Sequence, residues 1–182
     1  YGAYLETKKS RRYMVYVGAN DGMIHAFNAG FYDSAAKQFK TTPTVGTGTA
    51  HPLGSELWAY VPYNLLPHLP WLSDPDYNHV WYMDGKPRVF DARVFTPDAD
   101  HPHGWGTLMV VGMRFGGEKI TMTSPNPKPT DTTKDGFSAF TPSVGATITT
   151  RSAYVVMDIT NPEKPPRLLA ELSGAGPTDN KI

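Results

Sequence analysis

Tyr13-Met-Val-Tyr-Val-Gly18, Ala19-Asn-Asp-Gly22 and Met23-Ile-His-Ala-Phe27 form one continuous stretch, and its reading decides the fold class. Two runs rich in aromatic and β-branched residues flank Asp21-Gly22. An Asp-Gly pair supplies, at little steric cost, the positive φ values that a type I′ hairpin turn requires. The same pattern recurs twice. Val80-Trp-Tyr-Met83 and Arg88-Val-Phe90 lie either side of Asp84-Gly85, and Leu108-Met-Val-Val-Gly112 leads through Gly116-Gly117 to Lys119-Ile-Thr-Met122. Each predicts a hairpin. Further strands are expected over Glu56–Val61, Ser152–Met157 and Arg167–Leu172, and one or two short helical turns near Asn64–Leu72, curtailed by proline. The chain reads as all-β.

Bulk properties bound the class. The 182 residues suffice for one domain with a core, and 40% hydrophobic against 19% charged residues mark a globular chain. Lys plus Arg equals Asp plus Glu at 17 each. No basic field gathers phosphates or anionic lipid, so neither nucleic acid nor a membrane surface is an expected partner. Seventeen Gly, seventeen Pro and 12% aromatics suit many short strands and tight turns. The absence of cysteine removes disulfides, thiolate metal sites and a cysteine nucleophile. No run reaches the roughly 18 apolar residues of a membrane-spanning helix. The first residues, Tyr-Gly-Ala-Tyr, are neither a start Met nor a signal peptide, so the chain is expected to be a piece of something longer.

Two soft stretches interrupt the strands: Gly30 to Ser55, and Ser124 to Thr150 with Pro125, Pro127, Pro129 and Pro142. Both are expected to be surface insertions without continuous ladders. Around them the chain repeats itself approximately. One unit runs from Tyr13 through the Asp21-Gly22 turn and an insertion to Glu56–Val61. The other runs from Leu108 through Gly116-Gly117 and an insertion to Ala153–Asp158 and Leu168–Leu172, with its insertion at a different point. Short antiparallel units of this kind suggest propeller blades, which usually hold four strands in about 40–50 residues. Residues 1–182 are therefore expected to form a single partial β-propeller domain of about two to three blades, with insertions at about 30–55 and 118–151.

Four segments carry a family resemblance. Val15-Tyr-Val-Gly-Ala-Asn-Asp-Gly-Met-Ile-His-Ala-Phe-Asn28 resembles the opening blade motif of PilY-type pilus proteins and is also similar to the repeats of quinoprotein dehydrogenases. Glu56 through His79, Trp105 through Gly117 and Met157-Asp-Ile-Thr-Asn-Pro-Glu163 are more specific to the pilus family. The resemblance runs from about Arg12 to Leu172, and departs from the family at the insertions 30–55 and 118–151. It implies part of the C-terminal β-propeller of a large exported protein of type IV pilus biogenesis, acting at the pilus tip or cell surface in assembly and adhesion. It implies passage through the periplasm or association with the outer membrane. Expected partners are major or minor pilus subunits or a host-surface protein, with no nucleic acid and no membrane span. The family's calcium loop is expected outside these residues, so no cofactor is expected within them. A truncated propeller would leave blade faces uncovered and favour self-association.

Asp98-Ala-Asp-His-Pro-His103 is the densest group of ligand types: Asp98, Asp100, His101 and His103 together suit zinc or a similar ion. Three ligands would have to converge within one loop, so a solvated polar loop leads. Asp74, Asp76 and Asn78 open like a calcium loop. His79 and Gly85 then occupy the sixth and twelfth places, where Gly and a carboxylate are needed, and a capped turn leads instead. His25 reads as a hydrogen-bonded strand residue and Arg114 as a loop anchor. The four Trp with Tyr60, Tyr63, Tyr77 and Tyr82 read as packing between blades rather than as an exposed patch.

No nucleophile elbow, zinc-protease helix, phosphate loop or dinucleotide fingerprint is present, and no enzymatic activity is expected. The alternative is a propeller fragment of a quinone-dependent dehydrogenase, suggested by Val17–Gly22. A metal hydrolase would rest on Asp98–His103 alone.

Overall fold

The computed structural model describes residues 1–117, 119–123 and 147–173. A short helix α1 (Gly2–Lys8) precedes strands β1 (Tyr13–Gly18), β2 (Ile24–Asp33), β3 (Gln38–Lys40) and β4 (Glu56–Tyr60). A 3-10 helix over Tyr63–Ser73 leads to β5 (Arg88–Arg93) and β6 (Trp105–Gly112). Strands β7 (Ile120–Thr123), β8 (Thr147–Thr150), β9 (Ala153–Asp158) and β10 (Arg167–Ser173) follow. The all-β expectation holds.

Two four-stranded antiparallel sheets carry the fold, with β7–β8 as a separate pair. In sheet I, β2 lies against β1 and β4 and also pairs with β3 at its far end. Sheet II has the order β10-β9-β6-β5. Strands β5, β6, β9 and β10 are thus a four-stranded meander interrupted only between its second and third strands. Sheet I shows the same plan with three strands, β1, β2 and β4, again interrupted after the second. Once β5 is taken as the opening strand of the second unit, the interruption falls at the same point in both, not at different points as the repeat comparison had it.

Side-chain alternation sets which face is buried. Tyr16, Ile24, Trp58 and Tyr60 from sheet I pack with Met109, Val111, Val155, Met157 and Leu168 from sheet II in one core. The sheets are therefore stacked face to face. The cross-strand pairs Met109↔Met157 and Val111↔Val155 form the sheet II side of that core.

Three hairpin expectations meet different fates. The first hairpin forms, but its loop is Ala19–Met23 and only Gly22 has positive φ, so the turn is not type I′. Asp21 Oδ1 accepts the Met23 N–H at 3.0 Å and closes the bend instead. The second does not form: Val80–Met83 is not a strand. Tyr82 and Met83 are apolar because they plug the core, each being 1% exposed, while Trp81 is exposed. Their backbone is satisfied by sheet I, Met83 N–H donating to the Ala19 carbonyl and Tyr82 N–H to Asn20 Oδ1. The third is redirected, since β6 pairs with β5 and β9, while the chain beyond Gly116-Gly117 enters the β7–β8 pair.

The glycines near this plug serve close approach. A Cβ on Gly85 would stand 1.9 Å from the Gly112 carbonyl oxygen, and one on Gly116 would stand 1.8 Å from that of Tyr82. The first soft stretch is also corrected, because β2 continues to Asp33 and pairs with β3, so Gly30–Asp33 belong to a ladder. Most of the second soft stretch, residues 124–146, lies outside the described residues. The helical turns near Asn64–Leu72 appear as the 3-10 helix, whose prolines cannot donate to an α-helical ladder.

Helix α1 was not expected. Seven residues are too few to hold a helix alone, and tertiary contacts supply the rest. Tyr4 is buried with its hydroxyl 2.5 Å from Thr107 Oγ1 on β6. Lys8 Nζ donates to both Asp91 oxygens on β5.

Candidate functional site

The histidine- and acid-rich loop is the first place to test for a site. Asp98 Oδ1 accepts from the backbone N–H groups of Asp100 and His101 at 2.9 and 2.8 Å and lies 2.8 Å from His101 Nδ1. The His101 amide and ring hold the Asp98 carboxyl below its usual range. His101 is buried, stacked on Phe95 with ring centres 4.1 Å apart, and its Nε2 lies 3.0 Å from Asp158 Oδ2 on β9. Asp100 turns away and accepts from Lys164 Nζ and Asn161 Nδ2, and Lys164 lowers its pKa. His103, at φ 56, contributes its carbonyl to Arg93 Nε.

His101 and Asp100 therefore tie the loop to the end of β9 and the turn after it, while Asp98 bonds within the loop and His103 to Arg93, so the four do not converge on one point. Asp158 is the hub, and sequence reading missed it. It also accepts from the Thr160 N–H and hydroxyl and meets Arg167 at 3.3 Å. Its signal was the Asp-x-Thr pattern of an Asx cap in Asp158-Ile-Thr160.

Asp74, Asp76 and Asn78 form a local turn: Asp74 Oδ1 accepts the Asp76 N–H at 2.9 Å, and Asn78 Nδ2 donates to the Asp76 carbonyl. Among the described residues, no group of three His, Cys, Asp or Glu side chains is arranged to hold a metal ion.

His25 stands on the outer face of sheet I with Glu56 Oε1 2.9 Å from Nδ1 and Asp21 Oδ2 2.9 Å from Nε2. Burial alone would lower its pKa, but the two carboxylates outweigh it and raise it.

The aromatic residues divide. Tyr82 is in the core, with Trp58 and Tyr60 packed against it. Tyr60 donates its hydroxyl to Glu171 on β10, and burial, with that carboxylate beside it, raises its pKa far above the ordinary phenol value. Trp71 and Trp81 are exposed, contrary to the packing expectation. Trp81, 51% exposed, stands 6.1 Å from the ring of Phe115, itself 67% exposed, and the His79 ring meets Trp81 edge-on. The Arg114 guanidinium lies 4.6 Å from the Phe115 ring centre and 3.7 Å from Asp84 Oδ2.

The turn that displays them is firmly based. Met113 is in the core, Gly116 N–H donates to the Met113 carbonyl at 2.8 Å, and Ser152 Oγ donates to the Gly116 carbonyl at 2.7 Å. Arg114 holds φ 54, a strained value for a non-glycine residue. Arg114 and Phe115 thus stand at the tip of a rigid turn beside Trp81. Trp, aromatic and Arg side chains of this sort dominate protein interfaces.

Two antiparallel meanders sharing one core, with an exposed aromatic, arginine-bearing turn, define a β-sheet scaffold. Over 115 residues, 62% of its length, the chain is 32% identical to a type IV pilus biogenesis factor PilY1 homologue of Xylella fastidiosa. Over 123 residues, 66% of its length, it is 31% identical to the type IV pilus biogenesis factor PilY1 of Pseudomonas aeruginosa. The chain is PilY-like. It spans 6% and 8% of those two relatives, less than a tenth of the length of either. No family model and no solved structure matches it.

Proposed function

We propose that this chain is a non-enzymatic structural and interaction module of type IV pilus biogenesis, its two meanders being consecutive propeller blades. The observation that carries the proposal is the joint occurrence of PilY1-named relatives and two face-packed antiparallel units interrupted at the same point. A propeller blade is a short antiparallel sheet stacked on its neighbours through both faces. The module works in the cell envelope or at the pilus, and its partners are pilus subunits or a surface protein met at the rim. Neither relative named above is a dehydrogenase, and the quinone reading has no observation to carry it.

The exposed trio Arg114, Phe115 and Trp81 is the recognition surface in this reading. Replacing Trp81 and Phe115 by Ala in the parent protein, in a bacterium that bears it, tests the proposal. Stability of the chain should change by no more than about 0.5 kcal/mol per site, as at other exposed positions, while surface piliation or attachment falls. Unchanged piliation and attachment in the double variant would remove the trio from the function.

A further inference from the structure

The shared core opens at one margin. A cleft of about 380 Å³ is lined there by Tyr16 on β1, Val89 on β5 and Ile159 just after β9. Val89 lies cross-strand from the core residue Met109, and Tyr16 and Ile159 belong to the core cluster, so these walls continue the core. Both walls come from this chain, and neither is an outer sheet face. The charged side chains of the lining are Lys8, Arg11 and Arg12, with no carboxylate among them.

Two of these three charges are already neutralised. Lys8 Nζ donates to both Asp91 oxygens, and Arg12 is paired with Glu163. Arg11 differs. Its Nη1 donates to Thr107 Oγ1 at 2.9 Å and to the Thr160 carbonyl at 3.1 Å, while Nε and Nη2 have no acceptor among the described residues. Burial pushes the Tyr16 hydroxyl up to about 12 and Arg11 opposes that rise, so the guanidinium charge is felt within the cleft. A half-buried guanidinium with idle N–H groups attracts an anion more strongly than one in open water, and its planar fork matches a carboxylate.

We propose that this cleft binds a carboxylate carried on a short apolar stem, the carboxylate on Arg11 and the stem between Tyr16 and Val89. A lining with three cationic and no acidic side chains disfavours a cation. One uncommitted positive charge matches a monoanion and leaves a phosphate dianion under-neutralised. The volume falls at the small end of ligand pockets, roughly 300–1,000 Å³. It suits a small organic acid or the last residue of a polypeptide, which present the same chemistry. Nothing in this site depends on the blade reading or on the Arg114–Phe115–Trp81 surface.

The test uses the parent protein, with isocaproate as the probe, its amide as the uncharged counterpart, and saturation-transfer NMR to read binding. Isocaproate binds saturably, isocaproamide binds more weakly by roughly tenfold or more, and inorganic phosphate does not displace the acid. Arg11→Gln weakens the acid by roughly tenfold and leaves the amide unchanged, whereas Arg11→Lys, which keeps the charge without the fork, recovers part of the loss. Val89 is 49% exposed, so Val89→Glu is tolerated, and its carboxylate beside Arg11 abolishes acid binding. That second variant decides the matter if Arg11→Gln impairs folding. N-acetyl-leucine separates the sources: tighter binding than isocaproate assigns the cleft to a polypeptide end, and weaker binding to a free acid. Absence of saturable acid binding overturns the proposal. So does equal binding of acid and amide, or unchanged acid binding in a folded Arg11→Gln or Val89→Glu variant.

Discussion

Arg12 is the residue on which most segments converge. Its side chain is fully buried over the Phe31 ring, and it donates to Glu163, to Asn28 Oδ1 at 2.7 Å and to the Thr49 carbonyl. It thereby ties the start of β1 to β2, to the segment before β4 and to the turn after β9. Removing one member of a buried ionic network leaves the others desolvated and unpaired. Arg12→Ala should lose about 3 kcal/mol or more of stability, seen as a lower urea midpoint at unchanged slope. Arg12→Met, which keeps the volume, should recover little, because Asn28 and Glu163 still lack their donor.

His25 gives the second prediction at this scale. Its pKa is raised in the fold, so the Asp21–His25–Glu56 contact contributes fully below the unfolded value of about 6.5 and is lost as pH rises through the folded value above it. Between about pH 6 and pH 8.5 the melting temperature should fall more steeply for the native chain than for His25→Gln. Parallel curves would contradict the linkage.

At the scale of elements, the segment Tyr82–Gly85 is the structural surprise. Two glycines let it pass within backbone contact of β6 and its turn, so Gly85→Ala should cost about 2 kcal/mol or more. Gly2→Ala is the control, since nothing stands within 4 Å of its added methyl group. A Gly85 variant as stable as the Gly2 variant would contradict the close approach.

That segment also marks the limit of sequence reading. β1, β2, β4, β5, β6, β7, β9 and β10 were legible because their alternation and β-branched content are local signals. In Val80–Met83 the same signal has a different cause, since Tyr82 and Met83 fill the core, and periodicity cannot separate the two. The partner of β6 was hidden as well, because β9 lies some forty residues on and pairing over that distance leaves no local mark. Candidate ligands were legible as residue types only. That Asp98 and His101 would be consumed by backbone amides and by Asp158 depends on a tertiary contact between distant loops. The Arg114–Phe115–Trp81 surface was misread because exposure is a property of the assembled sheets. A Trp between Val80 and Tyr82 looks like core in sequence.

At the scale of the whole chain, side-chain clasps join the segments that the two meanders bring together. Arg12 reaches Glu163, Arg11 donates to Thr107 Oγ1 at 2.9 Å, and Glu171 on β10 accepts the Tyr60 hydroxyl and the Tyr63 N–H. These hold the stack in register around its apolar centre. They connect residues more than ninety positions apart, so formation of the meanders and of the stack should be one cooperative event.

The blade reading, and with it the proposed role in pilus biogenesis, stands on sheet II being a meander interrupted between its second and third strands. Cross-strand nuclear Overhauser effects in the full chain measure that directly. Met109 is expected between Val89 and Met157, with backbone contacts to both. Contacts that instead join β6 to β7 as a local hairpin would contradict the meander and the stack built on it.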